Sequence, residues 1–325
     1  MRRRMLKLRA ALLVVLGLTS VAAQAQDIPT IRFGRQTAAE DNLWLMLAKP
    51  ELAPNLNKAY KVEWTQMRAS EAAFKAFEGG QLDMASSAGN AVIAAAASGL
   101  ELKIIGTLSR ETQAGANTKF LVKKDGPSKI ADLKGGTIGI IGYRSSVELW
   151  AREGLKSGGL NPDRDVTFAV MPFPQVPDAV RAGRIIAGAA PDAFAIGAIA
   201  QGDLKSLFTS KTGVPFDEEL IVVFARPAFL KQHPAAVKAF MADLVAVNKY
   251  YLANLKEARQ ALIDAKLVGL PPQVYFNLPD YARDPGLRPN AEILSKQQQL
   301  LVSSGFQEKS VDLNTVVDTS FLPAN

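Results

Sequence analysis

Hydrophobic and polar positions alternate over Thr30–Arg35, where Ile31 and Phe33 are set against polar neighbours, and this is the period of a half-buried strand. Gln36 to Asn42 reads as a polar loop, and Leu43–Leu47 opens a helix. Lys61–Met67 is a second strand, and Ser70–Phe77 a helix with Ser70 as its N-cap. Gly79-Gly80 turns the chain into a brief strand at Leu82–Ala85, followed by a helix at Ala91–Ala97 and strands at Leu102–Leu108 and Phe120–Lys123. From Asp132 the alternation resumes: strand Thr137–Ile141, helix Val147–Lys156, strand Val166–Met171, helix Pro177–Ala182, strand Ile185–Ala187, helix Ala193–Ala200. Strands and helices of these lengths predict βαβ units and mostly parallel sheets. Leu220–Ala225 is the last strong strand. Beyond it Val237, Phe240, Met241, Leu244, Val247 and Tyr251 share one helical face and are assigned to core packing.

The pattern also echoes itself. Phe77-Glu-Gly-Gly-Gln-Leu-Asp-Met-Ala-Ser-Ser leads to an Ala-rich helix ending at Gly99, and Val180-Arg-Ala-Gly-Arg-Ile-Ile-Ala-Gly-Ala-Ala-Pro-Asp leads to a similar one ending at Gly202. Helix, glycine turn, short strand, small-residue loop and helix recur about a hundred residues apart, which predicts two similar α/β lobes.

The 325 residues carry a net charge of +7, and that number misleads. Arg2, Arg3, Arg4, Lys7 and Arg9 precede an apolar run from Ala10 to Leu18, and small residues follow to Ala23-Gln24-Ala25. A basic start, a short apolar stretch and an A-x-A site define a secretory signal peptide, here residues 1–25 with cleavage after Ala25. The run is shorter than the roughly 20 residues of a spanning helix; an uncleaved anchor or a core helix is the competing account. Arg3-Arg4 matches the twin-arginine signal only in part, so the general secretory route is expected. Removing those five cations leaves seven less five, +2. No later stretch combines Lys and Arg with aromatics, so no nucleic-acid partner is expected. The chain has no Cys, which excludes disulfides, thiolate nucleophiles and the Cys to which a lipid anchor attaches. A soluble, monomeric, periplasmic protein is expected.

Ile31-Arg-Phe-Gly34, Val62-Glu-Trp64, Ala76-Phe-Glu-Gly-Gly-Gln-Leu-Asp-Met-Ala85, Lys129-Ile-Ala-Asp-Leu-Lys-Gly135, Thr137–Gly142 and Phe229-Leu-Lys-Gln-His-Pro234 follow one another in an order that resembles the substrate-binding proteins of the nitrate/sulfonate/taurine importer group, within the periplasmic-binding-protein type II family. The similarity runs from about Thr30 to Lys256. The resemblance implies an α/β fold of two lobes joined by two crossing strands, with a ligand cleft between them and an ABC permease with its cytoplasmic ATPase as partner. Lobe one would comprise residues 27–118 plus 219–325 and lobe two residues 119–218, with crossings near Phe120–Lys123 and Leu220–Ala225. Gly136 and Ile186 depart from the family pattern, which usually has Lys or Arg and Asp there.

Ligands of open α/β sheets sit beyond the carboxyl ends of the strands, where helix N-termini offer unpaired N–H groups. In Ile141-Gly-Tyr-Arg-Ser-Ser-Val-Glu148 the spacing of Ser145 and Glu148 is that of a capping box, which starts a helix at Ser145 or Ser146. Arg144 is positioned to grip a sulfonate or carboxylate; a plain capped helix with a solvated Arg144 is the competing account. The facing segment offers Ser86, Ser87, Gly89 and Asn90, with ordinary N-capping as the alternative. Gln36 and Thr37 follow the first strand, Arg110 is a second anion clamp, Asp192 opens a helix, and Tyr143 and Phe173 supply aromatic walls. Glu40 and Asp41 suit either a ligand amine or a helix dipole.

His233 is the single histidine, and no G-x-S-x-G elbow or His-containing triad is present. Enzymatic relatives by fold, the pyrimidine synthases of thiamine metabolism, depend on His and Cys that this sequence lacks. Neither an enzymatic activity nor a metal or cofactor is expected. The leading expectation is a binder of a small organic anion; a binder of a neutral heterocycle such as a pyrimidine, and a periplasmic sensor or scaffold, stay open.

Overall fold

The structure is a computed structural model and describes residues 27–67 and 70–324. The expected signal peptide lies outside the described residues. The chain first forms β1 (Thr30–Arg35), α1 (Asp41–Ala48), β2 (Lys61–Gln66), α2 (Ser70–Glu78), β3 (Met84–Ala88), α3 (Gly89–Ala97) and β4 (Lys103–Glu111). It continues with β5 (Thr118–Lys123), β6 (Thr137–Ile140), α4 (Ser146–Ser157), β7 (Thr167–Val170), α5 (Val176–Arg181), β8 (Ala187–Pro191), α6 (Asp192–Ala200), β9 (Leu204–Thr209) and α7 (Ser210–Gly213). β10 (Glu218–Ala225) is followed by helices α8 (Pro227–Gln232), α9 (Pro234–Ala253), α10 (Leu255–Asp264), α11 (Pro272–Tyr275), α12 (Ala291–Ser303) and α13 (Leu313–Val316).

These strands form two five-stranded sheets with the orders β2-β1-β3-β10-β4 and β7-β6-β8-β5-β9. The orders are equivalent, and the echo in the sequence is its signature. Gly80 and Gly183 occupy matching turns, at φ 75° and 69°, a left-handed conformation that favours glycine. In each sheet three adjacent parallel strands come from one continuous stretch, the next strand, β10 or β5, runs against both its neighbours, and the edge strand beyond it, β4 or β9, runs in the direction of the first three. Four of the five strands in each sheet therefore run the same way, as the alternation predicts, and the one antiparallel strand makes each sheet mixed. The reason is topological: the fourth strand of each sheet, β10 or β5, is supplied by the chain just after it has crossed from the other sheet. β10 is buried along all eight residues, as a strand covered on both faces must be.

The predicted apolar face of α9 is buried throughout, from Val237 to Tyr251. It packs on α1, α10 and the first sheet, and Phe240 meets Phe33 and Tyr60 at ring separations of 5.6 and 5.5 Å. Helix α3 packs so close to the crossing strand that a Cβ on Gly89 would stand 2.2 Å from the Glu219 carbonyl oxygen. That approach explains the glycine better than a ligand does. The two sheets also touch through side chains. Trp150 Nε1 on α4 donates to Glu218 Oε2 on β10 at 2.8 Å, and Lys211 Nζ joins the same oxygen at 2.6 Å in a buried pair.

Candidate functional site: a two-chambered cleft between the sheets

The carboxyl ends of β1 and β6 lead into loops, and that of β3 directly into α3, at the gap between the sheets. A small chamber of about 90 Å³ lies there, and a larger one of about 380 Å³ adjoins it. Thr37, Ala38, Ala39, Pro191 and Tyr281 line both, so the two form one continuous cleft. Helices α1, α4 and α6 begin at its walls, and the first amides of an α-helix have no partner inside the helix. Ser145 is the N-cap of α4, its Oγ accepting from Glu148 N at 3.3 Å, as the capping-box spacing predicts.

The predicted site residues divide. Gln36, Thr37, Ser145, Ser146 and Phe173 line the small chamber, and Asp192 lines the larger one. Gln36 is held by its amide, which donates to Ser86 O at 2.8 Å. Asp192 is the first residue of α6 and caps nothing; its carboxylate pairs with Lys119 and accepts from Asn117 N at 3.2 Å.

The others lie away from the cleft. Of the segment 86–90 only Ala88 reaches the wall. The Ser86 hydroxyl donates to Glu40 Oε2 at 2.5 Å, and Ser87 is fully buried. Asn90 works between the sheets: it donates to Glu218 Oε1 at 2.9 Å and to Ser146 Oγ at 3.3 Å, and accepts from Gln297 at 2.7 Å. Both expected anion clamps are also elsewhere. Arg110 donates to buried Glu219 at 2.9 Å and to Arg288 O at 2.7 Å, so its guanidinium is spent inside the first lobe. Arg144 sits at φ 55° on a separate surface hollow with Tyr143 and Phe306, donating to Phe306 O at 3.1 Å. Tyr143 is 53% exposed, its hydroxyl on Phe168 O. The two misplacements have separate causes. Successive residues of a strand face opposite ways, so Arg110 points away from the cleft that Glu111 lines; Arg144 precedes the N-cap and is turned outward by its left-handed backbone.

Three residues that the sequence reading passed over supply the polar groups of the cleft. Glu111 ends β4, is fully buried and lines the small chamber. Its Oε1 accepts from Thr118 N at 2.8 Å and from the Ser210 hydroxyl, while Oε2 has no partner. Burial pushes its carboxyl up to about 7, and nearby Lys211 offsets part of that. Tyr281 stands between the chambers, its phenol held well above the usual range by burial and by the charges of Glu111, Asp192 and Asp41. Arg259 on α10 lines the larger chamber and is 3% exposed. One of its nitrogens donates to the carbonyls of Tyr275, Phe276 and Leu278 at 2.9 to 3.1 Å; its Nε has no partner, and among the described residues no carboxylate pairs with it. A buried cation without a counter-ion is costly, and it is the group in this cleft best suited to an incoming anion. The available signal was its placement in the apolar stripe Ala258, Arg259, Leu262 of α10. Around these groups the walls are apolar, with Ile141, Val147, Trp150 and Ile221 at the small chamber and Phe194, Val268, Leu270 and Leu278 at the larger.

Comparison with known proteins agrees with this architecture. A curated protein of Escherichia coli named for aliphatic sulfonate binding is 25% identical over 315 residues, covering 94% of each chain. The crystal structure of the periplasmic aliphatic sulphonate binding protein of Escherichia coli superposes with a TM-score of 0.70 at 21% identity, covering 89% of this chain and 92% of that one. The alkanesulfonate-binding protein of Xanthomonas axonopodis pv. citri, solved with MOPS, superposes with a TM-score of 0.71 at 20% identity over 89% and 98% of the two chains. The periplasmic nitrate-binding protein of Synechocystis PCC 6803 does so with a TM-score of 0.68 at 14% identity over 91% and 87%. The two-lobed binding-protein fold expected from the sequence landmarks is thus the fold observed. Residues 60–258 match the family described as NMT1/THI5 like, and the chain belongs to that family.

Proposed function

We propose that this chain is the periplasmic solute-binding component of an ABC importer, and that it captures a small organic anion, a sulfonate or carboxylate, between its lobes. The observation that carries the reading is Arg259, a buried guanidinium without a counter-ion among the described residues, on the wall of a cleft at which three helices begin. The names of the relatives support the solute class. The signal peptide ending at Ala25 supports export, and the lobes are assigned as residues 27–118 plus 219–325 and 119–218. Ligand bridging the lobes stabilises the closed form, and the closed form, as a monomer, docks on the permease.

Titration of the purified mature protein with alkyl and aromatic sulfonates and carboxylates tests the reading. Saturable binding of these anions is expected, and binding of neutral or cationic solutes alone would overturn it. A second reading, a neutral heterocycle such as a pyrimidine, is favoured by the acidic groups of the cleft, Glu111 and Asp192, and by the aromatic wall of Phe173 and Phe194, whose rings lie 5.9 Å apart. Mass spectrometry of the molecule that co-purifies distinguishes the two. A neighbouring gene pair for an ATPase and a permease separates both from a free-standing sensor.

A further inference from the structure

The small chamber holds one polar feature that an anion does not explain. Glu111 is fully buried and lines the chamber; its Oε1 is saturated by Thr118 N and the Ser210 hydroxyl, and its Oε2, itself buried, is unpartnered. The wall around it is mainly apolar, with Ile141, Val147, Phe173 and Ile221, and none of its polar groups, the hydroxyls of Thr37, Ser145 and Tyr281 included, bonds to this oxygen. A carboxylate oxygen in an apolar niche is destabilised until a donor arrives, and a solute without one leaves it unpaired. Discrimination by an unpaired buried group is far stronger than discrimination by size.

We propose that Glu111 Oε2 is the acceptor for a hydrogen-bond donor, an N–H or O–H, on the captured solute, and that the cleft thereby selects donor-bearing solutes over solutes of the same shape that lack one. This rests on capture between the lobes as proposed above, and it names a group that the solute must carry besides any anionic one. The small chamber admits an amino group, an amide or the N–H edge of a ring, while the larger chamber takes the apolar body. Asp192 does not compete for the role, because Lys119 and Asn117 N already occupy it.

The test is calorimetric titration near pH 8 with two matched pairs, benzenesulfonate against 3-aminobenzenesulfonate and pyrimidine against 4-aminopyrimidine. Wild type is compared with Glu111→Gln, whose amide oxygen can keep the Thr118 and Ser210 contacts while an N–H₂ replaces Oε2. Glu111→Asp, which withdraws the carboxylate by one methylene, serves if the amide variant does not fold. In wild type the amino member of a pair is expected to bind roughly ten- to a hundredfold more tightly, and in either variant that preference falls to about twofold or less. Equal binding within the pairs, or a preference that survives in the variants, overturns the assignment of Glu111 while leaving anion capture intact if the sulfonates bind. A preference seen only within the pyrimidine pair, and lost in the variants, upholds Glu111 and overturns anion capture. Binding by none of the four overturns both.

Discussion

Replacing Glu111 by Gln removes one proton-binding group from the wall of the cleft and changes its shape little. In the folded chain this carboxyl is pushed up to about 7 from 4.5, chiefly by burial. The charged groups around it act in both directions: Lys211 on α7 lowers the value, and Glu218 on β10 raises it. The native state therefore holds a proton between these two values that the unfolded chain has released, so stability from this group is complete below 4.5 and is lost as pH rises through 7. At about 1.4 kcal/mol per unit, the loss between pH 5 and pH 8 comes to roughly 2.5 kcal/mol. The variant has no such proton to lose. Glu40, also pushed up to about 7 by burial, titrates in both proteins and cancels in the difference. Urea unfolding at the two pH values measures this. Stability of the variant relative to wild type should rise by roughly 2.5 kcal/mol from pH 5 to pH 8. A difference that is the same at both would show that Glu111 ionises as an exposed carboxylate does, and would refute the description of its niche.

Other outcomes follow from the same geometry. Arg259→Met should weaken sulfonate or carboxylate binding by roughly tenfold or more, whereas Arg144→Ala, whose guanidinium lies on Phe306 O outside the cleft, should leave it within about twofold; the reverse ranking in a calorimetric series would move the anion site. Amino-bearing probes should bind more tightly as pH rises through about 7, where Glu111 Oε2 becomes a full acceptor, and Glu111→Gln should flatten that profile. Gly89→Ala would place a Cβ 2.2 Å from Glu219 O, with a cost of about 3 kcal/mol or more in chemical denaturation; an unchanged midpoint would contradict the packing of α3. Trp150 lines the small chamber and Trp44 the larger one, so ligand should change the tryptophan emission, and Trp150→Phe should remove the part of that change that comes from the small chamber while Trp44 keeps the rest.

The order and type of the elements were legible along the chain, because each is set by local periodicity. β1 lies at the predicted Thr30–Arg35, and the apolar face of α9 is the predicted one. The strands after the two glycine turns begin two residues later than predicted, at Met84 and Ala187, since those residues carry the chain back to its sheet. β9 and α7 escaped notice because Leu204–Gly213 is short and only weakly periodic. Equivalent lobes were visible in the repeated glycine turn.

The cleft was legible only in part, and the boundary has a physical cause. Residues that reach it from helix starts, such as Ser145, Ser146 and Gln36, follow from where strands end and helices begin. The groups that give the cleft its chemistry depend on which way a strand faces and on what the C-terminal helices cover. Period two in β4 says that Arg110 and Glu111 face opposite sides, but the side that is the cleft is set by β10 pairing against it with Glu219 placed to take Arg110. Arg259 and Tyr281 enter the site from a stretch distant in sequence, brought there by α10 packing on α1 and by the loop bonded to β4 at Arg110 N. Local sequence thus determined two lobes with a cleft between them. The acid, the phenol and the guanidinium that face into it were decided by tertiary packing, since a side chain's partners lie across the fold and not along the chain.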